Sequence, residues 1–459
     1  MKTEKYSLTE IEQILNKNSK LFFIGIGGIS MHSLALVCLE RGYQVGGSDR
    51  CDSPILGMLE SKGIKIVRGH RSESVEGYGL VVYTAAIHPD NPEYMRATEL
   101  GLPMITRAEL LGWVVSKYKK SFGIAGTHGK SSTTAMTGLC LMDAGLCPTV
   151  FNGADTPDIG GAYFCGGNDF VCFEACEYTD SFLSFYPTHA VVINAEYDHP
   201  DYFKTPEDYF SSFRKYLSQS PCAIVCKDFP EYEAVTEGYE GELFTVSLHD
   251  STANVYASEL KSQYGRYSFD IMVNGAFYAH ASLSVPGLHS VSNALVAAAI
   301  SYTCGAAGED VARALSRFRG AARRFQLAGH CCGAEVYDDY AHHPTEIQTS
   351  VHTARLCTKG KLYVVYQPHT YTRTAELYNG FISSFGECDC VIFADIYPAR
   401  ETDTLNMSAE KLAKDTDNGI YVGDFAKIAD YLKSTLKEGD VCVIMGAGDV
   451  IKITPTLIG

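Results

Sequence analysis

Lys130 and Ser131 close the run Gly126-Thr127-His128-Gly129-Lys130-Ser131, which follows an apolar stretch and leads through Ser132 into TTAMTGLCLMDAG. Glycines let backbone N–H groups approach phosphate oxygens, and a helix start adds positive potential. The Lys130 ammonium can reach terminal phosphates, and the Ser131 hydroxyl can hold Mg²⁺. The strict phosphate-loop pattern also wants glycine at 124, where the chain has Ile124. The strand–turn–helix context nevertheless points to nucleotide phosphates. A second turn, Gly25-Ile26-Gly27-Gly28-Ile29-Ser30, nearly matches the dinucleotide fingerprint, with Ser30 in place of the third glycine. Asp49 falls about where a ribose-binding acid belongs. From this turn alone, an NAD-dependent oxidoreductase is a fair rival.

Carboxylates end two further apolar runs. Glu174 and Glu177 follow FVCF, and Glu196, Asp198 and His199 follow HAVVIN. Strand ends are where α/β sheets place ligands. A carboxylate and an imidazole beside a phosphate loop suit a magnesium ion carrying phosphates, although magnesium prefers oxygen to nitrogen. Glu174, after four largely apolar residues, reads as functional rather than as a solvated loop charge. Further along come Arg323-Arg324-Phe325-Gln326, then Asp338-Asp339-Tyr340-Ala341-His342-His343, then Gln367-Pro368-His369-Thr370-Tyr371-Thr372-Arg373. Arginines at strand ends suit carboxylates and phosphates bidentately. His342 and His343 make no metal pair, because sequence neighbours rarely point at one ion.

The elements that must position these residues alternate strand and helix. KLFFIGI, YQVGGSD, IKIVRG and LVVYTAAI repeat that rhythm as far as Tyr118, and Ser116–Lys120 reads as a linker. A second unit opens at SFGIAGTHGK and turns β-rich near residues 240–285. A third carries the buried runs AEVYDDYA, KLYVVYQPH, CVIFADIY and DVCVIMGAG. This alternation predicts parallel sheets covered by helices, in three α/β domains over 1–118, 119–324 and 325–459. The 459-residue length fits several domains, and 46 % apolar with 20 % charged residues is a globular composition. A net charge of −16 argues against a nucleic-acid or anionic-membrane coat. No run is long and apolar enough to read as a membrane span. Sixteen scattered cysteines, without paired CxxC spacing, read as reduced thiols of a cytoplasmic protein and not as a zinc site. The sequence carries no signal for oligomeric state.

Taken together, GIGGIS with GSD, GTHGKSSTT, EACE, NAEYDH, GLHSVSNALVAA, RRFQ, DDYAHHPTEI, QPHTYTRT, DIYPARE and GAGD resemble the Mur ligase family of bacterial cell-wall synthesis, in family order over residues 25–449. The resemblance implies a Rossmann-like UDP-binding domain, a P-loop ATPase-like domain and a C-terminal Rossmann-like domain. It implies an ATP-dependent ligase that activates the lactyl carboxylate of UDP-N-acetylmuramate as an acyl phosphate, which the amine of L-alanine then attacks. The alternative within the family is the ligase that recycles a whole peptide onto the same UDP-sugar, against which QPHTYTRT argues. By motif position, Gly126, Thr127, His128, Gly129, Lys130, Ser131 and Ser132 would cradle ATP. Asn293 would face its adenine, and Arg324 and Asp339 its phosphates and ribose. Ser131 and Glu174 would hold Mg²⁺ or Mn²⁺, and His199 a second such ion. Gly25, Gly27, Gly28, Asp49 and His70 would hold the UDP part. Tyr340, His342 and Arg373 would surround the amino acid, with Lys130, His199 and Arg373 carrying catalysis. The chain departs from the family patterns E-A-D-E-S-D and H-N-x-x-N at Cys176, Tyr178, Thr179 and Ser290, and it has Thr370 where arginine is common.

Overall fold

The structure is a computed structural model and describes residues 6–84, 86–200, 202–399 and 401–458. Residues 1–5, Ala85, Asp201, Arg400 and Gly459 lie outside them, Ala85 and Arg400 in the runs LVVYTAAI and DIYPARE quoted above. Two compact units divide the chain. One comprises Met1–Tyr256, Val273–Ala276 and Leu295–Val311; the other comprises Ala257–Met272, Phe277–Ala294 and Ala312–Gly459.

Three sheets carry the α/β layers. The first contains β1 (Lys20–Ile24), β2 (Gln44–Asp49), β3 (Lys65–Arg68), β4 (Leu80–Tyr83) and β5 (Met104–Thr106), in the order β3-β2-β1-β4-β5. Every pairing in it is parallel. β1 is apolar on both faces, as a strand covered by helices on both sides must be. The order reverses beside β1, so the crevice beyond Ile24 is where a ligand belongs.

The second sheet contains β6 (Lys120–Ala125), β7 (Thr149–Phe151), β8 (Tyr163–Phe164), β9 (Phe170–Glu174), β10 (His189–Val192), β11 (Cys222–Cys226), β12 (Glu242–Ser247), β13 (Val255–Gln263), β14 (Arg266–Val273) and β15 (Ala276–Ser282). Its order is β15-β14-β13-β12-β11-β10-β6-β9-β7-β8. β10, β6 and β9 are parallel neighbours. Their carboxyl ends therefore deliver Asn194–His199, Gly126–Ser131 and Glu174–Glu177 to one edge. An aromatic cluster backs this edge. Phe182 stacks on Tyr216 at 4.6 Å, and Tyr209 and Phe213 lie 5.1 Å apart. Such pairs add about 0.5–1.5 kcal/mol each beyond their buried area.

The third sheet contains β16 (Gln326–Cys331), β17 (Ala334–Asp339), β18 (Leu362–Tyr366), β19 (Cys390–Ala394), β20 (Gly419–Gly423) and β21 (Val441–Met445). It runs β16-β17-β21-β18-β19-β20. The carboxyl ends of β17, β21 and β18 set Asp339, Gly446 and Gln367 side by side.

Two expectations need correction. The linker is shorter than read, because Lys120 opens β6 and Tyr118 is buried, with the Arg41 guanidinium 5.7 Å above its ring. The third sheet has six strands where four were read. The unread ones, β16 and β20, are the sheet's edges, and their partly exposed residues show no continuous apolar run.

Candidate active site

At the end of β1, Gly25 has φ +82°, a conformation glycine adopts without strain. The Ile29–Glu40 helix starts two residues beyond Gly27, whose N–H donates to Asp49 Oδ2 at 2.9 Å. A Cβ on Gly27 would lie 2.9 Å from that oxygen and 3.2 Å from Leu56. Asp49 also accepts from Cys51 N at 3.1 Å. It therefore braces the turn that was expected to receive a diphosphate. His70 Nδ1 is 2.7 Å from Glu93 Oε2, and the Ser48 hydroxyl donates to the same oxygen at 2.6 Å. Glu93 is fully buried, and nothing in its local pattern marks it: it sits in the polar run PEYMRATE, where a carboxylate looks solvated.

The phosphate loop follows β6. Gly126 has φ +150°, and a Cβ there would lie 2.5 Å from Ile193; Gly129 caps the Lys130–Asp143 helix at φ +82°. Residues beyond β10 hold the loop in shape. His128 N donates to Asn194 Oδ1 at 2.9 Å, and Asn194 Nδ2 donates back to His128 O at 3.0 Å. The Thr127 hydroxyl donates to Glu196 O at 2.8 Å and lies 2.8 Å from the Tyr209 hydroxyl. His128 Nε2 lies 3.0 Å from Glu196 Oε2. Ser131 is buried at the helix start, with Ser132 half-buried beside it.

Lys130 donates to Gly126 O, to Thr127 O at 3.1 Å, and to Glu177 Oε2 at 3.0 Å. The Glu177 side chain is 1 % exposed, and His199 Nε2 lies 3.6 Å from its Oε1. Burial alone would push this carboxyl up, but Lys130 and His199 outweigh it and hold it below the usual range. Burial likewise opposes the Lys130 charge, and Glu177 outweighs it, so the ammonium is held above its ordinary value. The structure thus joins Lys130 to His199 through Glu177, a residue quoted within EACE but given no role from sequence. Its signal was its place three residues after Glu174, past the end of a buried strand. Glu174 itself accepts from Gly153 N, and a Cβ on Gly153 would collide with its carboxylate at 2.6 Å.

In the other unit, the guanidiniums of Arg323 and Arg324 lie 4.9 and 5.0 Å from the centre of the Tyr340 ring. Tyr340 N donates to Arg323 O at 2.7 Å. Asp339 is buried, takes Ala341 N at 3.0 Å and the Ser350 hydroxyl, and burial pushes its carboxyl up to about 6. His343 caps the Pro344–Cys357 helix, while His342 Nδ1 faces Tyr340 O at 3.1 Å, so the two imidazoles do separate jobs. The His342 and His369 rings are 6.1 Å apart, and His369 stacks on Tyr397 at 5.6 Å. Burial, and then the positive charge of Arg373, hold the His369 imidazole below its usual range. Thr370, at φ +66°, caps the short Tyr371–Glu376 helix that carries Arg373. Gln367, unassigned from sequence, donates to Asp449 Oδ1 at 3.0 Å and accepts from Val450 N at 3.0 Å, joining the ends of β18 and β21. Asn293 is buried on the Leu288–Thr303 helix.

Three family descriptions match the chain in succession: Mur ligase family, catalytic domain, over residues 20–119; Mur ligase middle domain over 124–301; and Mur ligase, glutamate ligase domain over 323–448. A UDP-N-acetylmuramate–L-alanine ligase of Caldanaerobacter subterraneus is 41 % identical over 96 % of this chain and 97 % of its own. One from Acetivibrio thermocellus is 40 % identical over 95 % of each. The solved UDP-N-acetylmuramate-alanine ligase of Thermotoga maritima superposes with a TM-score of 0.81 at 26 % identity, over 96 % of this chain and 98 % of that one. A murein peptide ligase of Psychrobacter arcticus shares the fold, with a TM-score of 0.70 at 23 % identity over 95 % of this chain and 98 % of that one. With near-complete coverage at this identity, and with the motifs held on three sheets, the chain belongs to the Mur ligase family.

Proposed function

We propose that the protein joins L-alanine to the lactyl carboxylate of UDP-N-acetylmuramate at the expense of ATP, in peptidoglycan precursor synthesis. The observation that carries this reading is the Lys130 ammonium, held at a glycine-capped helix start beside buried Glu177 and His199. A carboxylate is a poor electrophile until one of its oxygens becomes a leaving group. Transfer of the γ-phosphoryl group to that oxygen gives an acyl phosphate. The alanine amine then adds to the acyl carbon, and the tetrahedral species expels phosphate. Such a reaction depends on positioning and charge neutralisation.

Lys130 neutralises the transferring phosphoryl group, and the loop Gly126–Ser132 offers its N–H groups to the phosphates. Arg324 and Asp339 bind ATP phosphate and ribose, and Asn293 faces the adenine. Gly25, Gly27, Gly28, Asp49 and His70 take the UDP portion. Tyr340, His342 and Arg373 take the amino acid, with Arg373 pairing its carboxylate. Magnesium, or manganese, fits Ser131 and Glu174, with a second ion at His199: the Ser131 hydroxyl is buried at the helix start, and Gly153 leaves room for the Glu174 carboxylate. These ions would screen phosphate charge. The domains are 1–118, 119–324 and 325–459. All sixteen cysteines are free, which fits a cytoplasmic enzyme. Among the described residues, no helix is long and apolar enough to cross a membrane.

The test is initial-rate ADP formation at fixed UDP-N-acetylmuramate, comparing L-alanine, glycine, L-serine and an L-Ala-γ-D-Glu-diamino-acid peptide. L-alanine should be the best acceptor, ahead of glycine by about 10–200-fold, the discrimination one methyl group allows. Preference for the peptide would move the protein to the recycling branch.

A further inference from the structure

We infer that Tyr178 is a positioning residue that fixes the His199 imidazole against the Lys130–Glu177 pair. The inference rests on the role proposed above for His199. The family often reads E-A-D-E-S-D, with serine where this chain has Tyr178.

The His199 ring is bounded at one nitrogen and on one face. Its Nε2 lies 3.6 Å from Glu177 Oε1 and 3.8 Å from Asp198 Oδ2. The Tyr178 ring covers one face, with centroids 4.6 Å apart and planes at 42°. The terminal torsion of histidine is broad, so carboxylates near one nitrogen leave the ring free to swing. An aromatic surface against the imidazole removes that freedom.

The Tyr178 backbone is itself firmly set, while its ring is partly exposed. Its carbonyl accepts from the hydroxyls of Thr179 at 2.7 Å and Ser181 at 2.8 Å. Thr179 and Asp180 follow at φ +54° and +55°, a left-handed pair that side-chain-bearing residues rarely adopt. Asp180 anchors this turn by accepting from the Tyr202 hydroxyl at 2.7 Å and from the Ser212 hydroxyl. Tyr202 in turn donates its N–H to His199 O at 2.9 Å, and its ring lies 6.4 Å from Tyr178, edge-on. The contacts therefore close a circuit from His199 through Tyr202, Asp180 and Tyr178 back to the imidazole. His199 is also left-handed, at φ +59°, so its backbone direction is part of the same strained arrangement. A serine at 178 would leave the circuit open at the ring face.

The test uses the full chain with Tyr178→Ala, Tyr178→Phe, His199→Ala and the Tyr178→Ala/His199→Ala double variant. Tyr178→Ala should lower kcat about tenfold or more, the scale of a misplaced reacting group. The KM values for UDP-N-acetylmuramate and L-alanine should hold within about twofold, because substrate binding is not what was removed. Tyr178→Phe should restore kcat, and the double variant should be no worse than His199→Ala. A second readout needs neither metal nor turnover. In histidine-labelled protein, the order parameter of the His199 Cε1–H bond, whose resonance is identified by its loss in His199→Ala, should fall in Tyr178→Ala and recover in Tyr178→Phe. An unchanged order parameter, or additive losses in the double variant, would overturn the inference. If His199→Ala retained full activity, the role of His199 would fall instead, whatever the order parameter showed.

Discussion

Replacing Glu177 with glutamine keeps its shape and removes its charge. Lys130 would then be a buried ammonium without a carboxylate partner, bonded to Gly126 O, Thr127 O and the neutral amide oxygen of the glutamine, with its side chain 15 % exposed. Removing one partner of a buried pair costs about 3–5 kcal/mol, and the retained neutral acceptors place this case at about 3 kcal/mol. For a cooperative unit of 150–250 residues, that corresponds to a Tm lowered by about 6–12 °C. The assay is urea unfolding at pH 7.5 of the wild type, Glu177→Gln, Lys130→Met and the double variant. Removing both charges abolishes the orphan, so the double variant should be less destabilised than the sum of the singles, by about 0.5–3 kcal/mol. The pH dependence has a defined sign. The Glu177 carboxyl is held below its ordinary value of 4.5, so its contribution is present above that value and is lost as the pH falls through the lower native one. The gap between wild type and Glu177→Gln should therefore close in acid. A loss within about 0.5 kcal/mol, as at ordinary surface sites, or additive singles, would refute the reasoning.

Two further outcomes follow from other parts of the site. Asp339 titrates near 6 against an ordinary 3.8, so the folded state holds a proton that the unfolded chain releases. Stability should fall as pH rises between these values, and Asp339→Asn should stabilise the protein at pH 8 by up to about 3 kcal/mol, fading toward pH 4 in urea midpoints, while ATP binding weakens; a pH-independent difference would contradict this. Gly27→Ala puts a methyl 2.9 Å from Asp49 Oδ2, displacing a turn whose distortion costs about 1–3 kcal/mol. Its KM for UDP-N-acetylmuramate should rise roughly tenfold or more with the ATP KM unchanged; an unchanged UDP-sugar KM would remove this turn from the substrate site.

The strands carrying function were legible because they are buried on both faces and read as unbroken apolar runs, as KLFFI and FVCF do. The glycines after them were legible because their conformations exclude side chains. Edge strands β16 and β20 were not, since an edge needs no continuous apolar run. Within the site, charge type and strand-end position marked Lys130, Glu174 and His199. They did not reveal that Glu177 links Lys130 to His199, or that Glu93 orients His70. Those facts depend on burial and on contacts 47 and 23 residues apart in sequence, which local patterning does not encode. Asp49 shows a second job that spacing does not mark: besides the ribose its position suggests, it braces the turn through its bonds to Gly27 and Cys51.

The central claim is that the lactyl carboxylate takes the γ-phosphoryl group of ATP before the amine attacks. It is tested most directly with UDP-N-acetylmuramate labelled with ¹⁸O in that carboxylate, incubated with ATP and L-alanine, followed by mass analysis of the inorganic phosphate released. The account predicts one ¹⁸O in each phosphate formed alongside ADP, with the label absent from Lys130→Ala reactions because turnover is lost. Phosphate free of ¹⁸O while the alanine amide accumulates would contradict it.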